Sequence, residues 1–455
     1  MPQIDEMSAK IGVISLGCPK NLVDTEVMIG TLKERGYEFV QDIAQADVVL
    51  INTCSFIADA REEAFGAILE AGQQKRYGSV KGIIVTGCLP QRYKERLRLM
   101  APEVDVFLGV AAYKDIEEAV EGALRNKRYS EFPDLDMDQE FDRRVVTTSP
   151  PTAYVKIADG CDNRCSYCVI PDVRGPFRSR PVESVVEETR RLVEDGYSEI
   201  ILVAQDTTRY GADLYGEPRL AQLLTELAAV PGLKWLRILY AYPESVSDEL
   251  LEVMTSHDNI VKYIDMPVQH LNDDILRAMN RRSDSAQIYE TIDRIRAADP
   301  RFVIRSTVIA GFPGETPEQL LEMAEGLKRA NFNRLGVFAY SQEEGTVAAE
   351  LPDQVDENEK AARRDTLLNQ QATISYQHNQ ARVGEECEVL VEGFDPRSKL
   401  YFGRSYAEAP EVDGTILIKT NRKLQPGTYH KAKIVKALNY DCVAELLPET
   451  EGTES

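Results

Sequence analysis

The sequence predicts an α/β protein with three parts: an N-terminal open parallel α/β sheet domain, a central (βα)6 partial TIM barrel and a small C-terminal all-β barrel of OB-like type. Continuous apolar runs in the first third are typical of buried parallel strands. Further runs alternate with helix-sized intervals in the middle, and short strands separated by Gly, Pro and Asn turns follow at the end. A chain of 455 residues is also too long for one ordinary domain.

The N-terminal domain is predicted over residues 9–126. Apolar residues on one face of 22–35, followed by Gly36, indicate a helix after the first strand. A strand, a helix and a second parallel strand form the βαβ unit of an open sheet. The polar, acidic segment 127–146 is predicted to be a linker. Strands are expected at 11–17, 47–53 and 82–87.

The central domain is predicted over residues 147–379, where strands and helices alternate, and 357–380 is expected to be helical. The C-terminal barrel is predicted over 380–449, where the pattern changes to short strands and turns. The polar tail 450–455 is predicted to be disordered. The six strands of the central domain are expected at 153–158, 199–204, 235–240, 261–266, 302–310 and 334–340.

Charge and hydropathy exclude some classes of function. With 75 acidic against 53 basic residues, the net charge is −22. A generic binder of nucleic-acid phosphates needs clustered Lys and Arg, so a basic partner fits better, although an acidic surface can also simply confer solubility. The longest apolar runs, such as 48–51, are strand-sized, and the first residues lack a basic and apolar leader. We therefore expect no membrane association and a cytoplasmic location.

In a reducing cytoplasm, metal binding or catalysis is a better expectation for the eight cysteines than disulfides. Cys161, Cys165 and Cys168 form C-x3-C-x2-C in GCDNRCSYC, after the first predicted barrel strand. Soft thiolates favour iron–sulfur clusters or zinc, but structural zinc usually takes four protein ligands. Three thiolates leave one iron of a cubane free for a substrate amine and carboxylate. The alternative is that the three cysteines meet by chance in a loop.

A second set of cysteines follows the predicted N-terminal strands. Cys18, Cys54 and Cys88 stand at the carboxyl ends of three strands, in SLGCPK, INTCSF and VTGCLP. Ligands of open α/β sheets gather outside these strand ends, so the pattern indicates a second cluster. The alternative is that they are small buried hydrophobic residues, a common fate of free cysteine. Cys387 and Cys442 show no cluster pattern and are expected in the core of the C-terminal barrel.

These motifs carry a resemblance. C-x3-C-x-aromatic-C, with Tyr167 at the aromatic position, resembles the signature of radical S-adenosylmethionine (SAM) enzymes. Together with SLGCPKN, INTCSF, TGC and the C-terminal β module, it resembles the methylthiotransferase family across nearly the whole chain. The resemblance implies an N-terminal methylthiotransferase domain, a radical SAM core and a TRAM domain, with two 4Fe–4S clusters and SAM as cofactors. Catalysis would depend on Cys161, Cys165 and Cys168.

By the same resemblance, SAM lies across the carboxyl ends of the barrel strands, where sites occur in such folds. Each proposed contact also has a structural alternative. The glycines could form a tight turn, Arg305 could belong to a structural ion pair, and the neighbouring His270 is more often a satisfied polar residue than a ligand. The residues expected to contact SAM are Tyr167, Gln205, Asp206, Gln269, Arg305, Gly311, Gly314 and Glu315.

Finer motifs, ILVAQDTTRYG, YIDMPVQH, RSTVIAGFPGE and YSQEEGT, are similar to those of the family members that modify an aspartate of small-subunit ribosomal protein S-twelve. This implies methylthiolation of the aspartate β-carbon with two SAM molecules, fed by a flavodoxin- or ferredoxin-type electron donor. The alternative within the family is methylthiolation of a tRNA adenosine, but the segment from residue 380 onward carries more acidic than basic side chains, unlike RNA binders. The alternative of another class is a non-catalytic iron–sulfur protein for electron transfer or sulfur storage.

Overall fold

The computed structural model describes residues 9–135 and 144–448. The N-terminal part is a sheet of parallel strands in the order β2-β1-β3-β4-β5-β6, flanked by helices. Its elements are β1 (Lys10–Ser15), α1 (Pro19–Glu34), β2 (Glu38–Val40), β3 (Val48–Thr53), α2 (Ala58–Tyr77), β4 (Gly82–Gly87), α3 (Cys88–Tyr93), α4 (Glu95–Met100), β5 (Val106–Leu108), α5 (Ile116–Leu124) and β6 (Tyr129–Glu131).

The three strands predicted here are present as β1, β3 and β4, and β3 and β4 are buried along their whole length. The sequence patterns missed β2, β5 and β6, because strands of three residues are too short to show periodicity. β6 lies in the segment predicted to be a linker and pairs with β5. The part of that linker at 136–143 and the predicted disordered tail 450–455 lie outside the described residues.

The central part is a sheet of six parallel strands in the order β14-β13-β12-β11-β10-β7. The first and last strands do not pair, so the barrel is open, as predicted. Its elements are β7 (Thr152–Lys156), β8 (Ala158–Asp159), α6 (Ile170–Arg174), β9 (Arg178–Ser179), α7 (Val182–Glu194), β10 (Glu199–Val203), α8 (Ala212–Tyr215), α9 (Leu220–Ala228), β11 (Trp235–Ile238), α10 (Asp248–Ser256), β12 (Ile260–Asp265), α11 (Asp273–Ala278), α12 (Ser285–Ala298), β13 (Val303–Ala310), α13 (Pro317–Ala330), β14 (Arg334–Ala339) and α14 (Glu357–Ala381).

The C-terminal part is a closed barrel in the order β15-β16-β17-β19-β18, which confirms the predicted all-β barrel. Its strands are β15 (Glu386–Asp395), β16 (Leu400–Arg404), β17 (Ile416–Lys419), β18 (Tyr429–Ala437) and β19 (Cys442–Leu446). Short 3-10 helices occur at Ile43–Gln45, Tyr113–Asp115, Thr207–Arg209, Pro243–Ser245 and Val347–Glu350. No helix of residues 9–135 or 144–448 is long and apolar enough to cross a membrane.

The two flanking parts pack against opposite ends of the open barrel. Lys156, the last residue of β7, is paired with Asp24 of α1, which places the N-terminal domain at the carboxyl ends of the strands. Glu199, the first residue of β10, is paired with Arg404 of β16, which places the small barrel at the amino ends. A continuous apolar core joins all three parts. The cysteines at the N-terminal strand ends therefore face the open mouth of the central barrel.

A buried carboxylate anchors the small barrel to the central part. Glu408 accepts hydrogen bonds from Arg382 at 2.5 Å and Arg334 at 3.2 Å, and from the backbone N–H and hydroxyl of Ser405. Burial alone would raise the pKa of Glu408, but Arg382 and Arg334 hold it down at about 2. The pKa of Glu408 is lower in the folded protein than in the unfolded chain. Ionised Glu408 therefore stabilises the fold at pH values above its pKa in the unfolded chain. This stabilisation is lost as pH falls towards 2.

We therefore expect Glu408→Gln to lower the free energy of unfolding by about 3 kcal/mol at neutral pH, and by progressively less as pH falls from about 5 to 2. Calorimetric melting temperatures of both proteins at pH 7 and pH 3 measure this difference. Glu325→Gln, which removes an exposed carboxylate paired with Lys328, should change stability little at either pH. A deficit in Glu408→Gln that is the same at both pH values would contradict the assignment.

Candidate active site

The first cysteine set lies at one edge of the N-terminal sheet. Cys54 follows β3 directly, Cys88 opens α3 directly after β4, and Cys18 caps the start of α1 just beyond β1. These three strands are adjacent and parallel, with the order β1-β3-β4. Burial raises the pKa of the Cys88 thiol, and the nearby Cys54 and Cys18 add to this rise. We call Cys18, Cys54 and Cys88 the N-terminal trio.

Two glycines allow the strand ends to approach this closely. Gly17 has φ +95°, and a Cβ there would lie 2.7 Å from the Cβ of Cys54. Gly87 has φ +94°, and a Cβ there would lie 2.2 Å from the Oδ1 of Asn52. Both conformations favour glycine, and both positions lack room for any side chain. The backbone before Cys18 and Cys88 is therefore adapted to bring the trio together.

The second cysteine set lies in the loop between β8 and α6. Cys161 and Cys165 are buried and Cys168 is half-buried. Burial raises the pKa of the Cys168 thiol, and the nearby Cys165 and Cys161 add to this rise. The backbone N–H of Cys168 donates to the carbonyl of Cys165 at 3.0 Å, and that of Cys161 to the carbonyl of Gly175 at 3.1 Å. We call Cys161, Cys165 and Cys168 the barrel trio.

Contacts from several elements hold the barrel-trio loop in place. Asn163 donates to Asp206 at 2.9 Å, and the hydroxyl of Ser166 donates to the carbonyl of Ala278 at 2.7 Å. Asn280 donates to the carbonyl of Arg164, whose φ of +48° is uncommon for a residue with a side chain. The loop is therefore fixed by its neighbours and does not depend on a bound cluster for all its contacts.

A buried network of charges connects the two trios. Arg174 lies 2.8 Å from Asp24 and 3.0 Å from Asp159, and Lys156 is paired with the same two carboxylates. The guanidinium of Arg174 also donates to the Sγ of Cys88 at 3.7 Å. Because Asp159 precedes Cys161 by two residues, this network sets the position of one trio relative to the other. All four charged side chains are buried.

Burial affects the protonation of the thiols. It raises the pKa of Cys88 to about 12 and that of Cys161 to about 11, and it also raises the pKa of Cys54 and Cys168. These groups are therefore neutral thiols in the metal-free chain at pH 7. Cysteine binds iron as the thiolate, so cluster binding must displace the protons of these thiols.

Each trio offers three soft sulfur ligands, which are the ligands that iron–sulfur clusters take. In the part of the chain that the structure describes, no three His, Cys, Asp or Glu side chains converge closely enough to hold one metal ion. A lone ion needs all its ligands around one atom, whereas each thiolate of a cubane binds a different iron. Cys387 and Cys442 lie in β15 and β19, so neither trio gains a fourth cysteine. Three thiols with no fourth suit a cluster that keeps one open iron.

The predicted SAM contacts after β10 lie beside the barrel trio. Gln205 donates to Asp159 at 2.9 Å, while its own side-chain oxygen is buried without a hydrogen-bond partner among the described residues. Asp206 is buried and accepts from Asn163 of the trio loop and from Thr208. Burial raises the pKa of Asp206. Asp206 thus orients the loop, and the oxygen of Gln205 remains available to a ligand.

The predicted contacts after β12 and β13 make a tight turn. Glu315 accepts from the backbone N–H of Gly311 at 3.1 Å, from His270 at 3.2 Å and from Arg363 at 2.9 Å. Burial alone would raise the pKa of Glu315, but these partners lower it overall. Gly311 and Gly314 have φ of +75° and +80°. These contacts support the structural alternative for the glycines and for His270.

The remaining residues predicted to contact SAM are Gln269, Tyr167 and Arg305. Gln269, half-buried with φ +71°, bridges to β13 through its backbone. Tyr167 packs against an apolar cluster that includes Phe312, and burial raises its pKa. Arg305 lies 2.7 Å from Asp265 and 3.6 Å from Asp413 of the small barrel. This pairing supports the structural alternative for Arg305, and its contact with SAM remains a prediction.

Sequence patterns missed four side chains that surround the trios. Arg174 reaches Cys88, and Arg281 donates to the Sγ of Cys165 at 3.8 Å and stacks on Tyr242. Lys20 lies 3.5 Å above the centre of the Tyr240 ring, near Cys18. Lys20 stands in the SLGCPKN motif, so its nearness to Cys18 was visible in the sequence. The missed residues are Arg174, Arg281, Lys20 and Tyr240.

Family models match each part of the chain. The model of uncharacterized protein family UPF0004 matches residues 10–109, that of the radical SAM superfamily residues 155–327, and that of the TRAM domain residues 383–447. A solved structure with a similar fold is the radical SAM methyltransferase TsrM from Kitasatospora setae, with a TM-score of 0.54 and 13% identity over 73% of each chain. At this identity the likeness shows the fold alone.

Curated relatives match almost end to end. The ribosomal protein uS12 methylthiotransferase RimO of Desulforamulus reducens is 49% identical over 96% of this chain and 99% of its own. RimO of Caldicellulosiruptor saccharolyticus is 46% identical over 96% of this chain and 100% of its own. With this similarity and the matching N-terminal, radical SAM and TRAM models, the chain belongs to the RimO family of radical SAM methylthiotransferases.

Proposed function

We propose that the chain methylthiolates the β-carbon of an aspartate in small-subunit ribosomal protein uS12, using two 4Fe–4S clusters and two SAM molecules. The relatives named above are uS12 methylthiotransferases. The observation that best supports two clusters is the pair of separate cysteine trios linked by the buried network of Arg174 and Asp159. A family member with one cluster would not need the second trio.

Each trio has its own task in this proposal. Cys161, Cys165 and Cys168 would hold the cluster at the mouth of the barrel, and the N-terminal trio would hold the other. When bound, the cofactors would supply a 5′-deoxyadenosyl radical at the first site and a methylated sulfur at the second. The chain would keep both trios at a fixed separation through buried charges and enclose the reaction away from water. Electrons would come from a flavodoxin- or ferredoxin-type protein in the cytoplasm.

The predicted SAM contacts belong to the same proposal. The oxygen of Gln205, which is buried without a partner among the described residues, is well suited to accept from a cofactor amine or hydroxyl. Asp206 would contribute to SAM binding indirectly, because it holds the barrel-trio loop through Asn163. The remaining proposed contacts are Tyr167, Gln269, Arg305, Gly311, Gly314 and Glu315.

The division of the chain into 9–126, the linker 127–146, 147–379 and 380–449 is likewise proposed. Limited proteolysis should cut the linker before it cuts inside the other three segments.

Charge favours a protein substrate over the alternative, a tRNA adenosine. The chain has a net charge of −22, which attracts a basic ribosomal protein and repels an RNA backbone. Anaerobically reconstituted enzyme should be given SAM and a reductant with purified uS12 and unmodified tRNA in parallel. We expect mass spectrometry to find the methylthio increment on an aspartate of uS12. An increment found only on tRNA would reverse the substrate assignment.

A further inference from the structure

We propose that Lys20, held against Tyr240, is a specificity-determining residue that binds the carboxylate of the target side chain. This inference rests on the proposed function, because it assumes that the target is an aspartate of a protein. It adds a residue that distinguishes a carboxylate substrate from a neutral one, such as an asparagine or an adenine base. The site consists of Lys20 at the start of α1 and Tyr240 just beyond β11.

The charge of Lys20 is buried, and within the described part of the chain it has no carboxylate counter-ion. Its side chain is only 8% exposed, and its ammonium lies over the ring of Tyr240. Among residues 9–135 and 144–448, no carboxylate forms an ion pair with it, and its ammonium lies 3.5 Å from the centre of the Tyr240 ring. A buried cation without an anionic partner is costly. An arriving carboxylate would supply the missing partner.

The ammonium also lies where a substrate has to be held. Lys20 is two residues from Cys18 of the N-terminal trio, whereas Tyr240 belongs to the central barrel that carries the other trio. It therefore stands at the junction of the two proposed cluster sites. The first turn of α1 contains no acidic residue, so the positive end of the helix dipole adds to the charge of Lys20.

The backbone of Tyr240 is constrained in a way that keeps this junction in place. Its φ is +64°, which is unusual for a bulky residue and is found where surrounding contacts enforce it. Its N–H donates to Asp265 at 3.2 Å, and its carbonyl accepts from the N–H of Thr207 at 3.0 Å. The ring is thereby fixed below the ammonium, which orients Lys20 towards the junction.

Binding the carboxylate fixes the reacting carbon as well. In aspartate the β-carbon is bonded directly to the carboxyl carbon, so an ion pair with Lys20 holds that CH2 group two bonds away from the paired oxygen. An amide or an adenine ring offers no such anion. A buried site built for a charge rejects a neutral ligand strongly, because the charge then stays unpaired.

The competing explanation is that Lys20 merely balances the negative charge of a cluster on the N-terminal trio. The two roles are separated by a double-mutant cycle that combines Lys20→Met with uS12 whose target Asp is changed to Asn. Binding of both forms of uS12 is measured by calorimetry, with reconstituted, SAM-loaded, unreduced enzyme. Lys20→Arg, which keeps the charge, is the matched control.

We expect wild type to bind the Asp form roughly 30-fold or more tightly than the Asn form, as for truncation of one partner of a buried charge pair. Lys20→Met should bind both forms equally and keep the iron content and the electron paramagnetic resonance signals of both clusters. Lys20→Arg should retain most of the preference. Equal Asp preference in wild type and Lys20→Met, or loss of one cluster in Lys20→Met, would overturn the inference.

The same experiment separates this inference from the function on which it rests. If wild type binds and modifies uS12 but the cycle shows no coupling, the role of Lys20 is wrong and the proposed function stands. If wild type neither binds nor modifies uS12, the proposed function itself fails, and the role of Lys20 fails with it.

Discussion

Changing Cys18, Cys54 and Cys88 together to alanine is expected to reduce the bound iron of reconstituted protein from about eight to about four atoms per chain. Methylthiolation should be lost completely, while SAM cleavage to 5′-deoxyadenosine continues. The physical reason is that the barrel-trio loop is held by its own contacts, such as Asn163 with Asp206. Iron analysis, product chromatography and mass spectrometry of uS12 measure the three quantities.

The reciprocal variant tests whether the barrel trio holds the cluster that cleaves SAM. Changing Cys161, Cys165 and Cys168 to alanine should remove 5′-deoxyadenosine formation as well as methylthiolation, with the other half of the iron retained. The pair Cys387→Ala and Cys442→Ala is the matched control, because both cysteines lie in the small barrel. An iron content near eight atoms per chain in the variant that lacks Cys18, Cys54 and Cys88 would contradict the assignment of a cluster to the N-terminal trio.

The fold was predictable where strands are long and buried. All six strands of the central barrel coincide with apolar runs, since burial on both faces of a parallel strand requires them, as in EIILV of β10. The sequence could not reveal β2 or β5, because each has only three residues and receives its stability from its neighbours in the sheet. The sequence also did not predict that the small barrel packs against the amino ends of the strands. This packing depends on ion pairs between residues far apart in the chain, such as Glu199 and Arg404.

For the site, spacing identified the cysteines but not what surrounds them. Cys18, Cys54 and Cys88 could be grouped because parallel strand ends are equivalent positions in a sheet. Arg174 gave no such signal, since its contact with Cys88 joins residues 86 positions apart. A motif also cannot tell which carboxylate a buried arginine will meet in the folded chain. For example, the motif around Arg305 did not reveal that its guanidinium pairs with Asp265 and lies near Asp413.

Glu199→Gln is expected to produce a large loss of stability. Glu199 is fully buried, 2.7 Å from Arg404 and 3.4 Å from Arg237, and it accepts from the hydroxyl of Thr152. Burial alone would raise its pKa, but the two guanidinium groups lower it overall. A neutral side chain would leave two buried guanidinium charges with one anion fewer. We expect a loss of about 3–5 kcal/mol in the free energy of unfolding.

The single tryptophan makes this loss measurable at the interface itself. Trp235 opens β11 and packs edge-on against Tyr429 of the small barrel, with ring centres 5.0 Å apart. Because both rings lie where the small barrel meets the strands, Trp235 fluorescence during urea unfolding reports detachment of that barrel. In Glu199→Gln its transition should move to lower urea concentration. Glu187→Gln, which breaks an exposed pair with Arg190, should leave it within about 1 kcal/mol of wild type. Equal transitions in both variants would mean that the buried charges do not hold the small barrel in place.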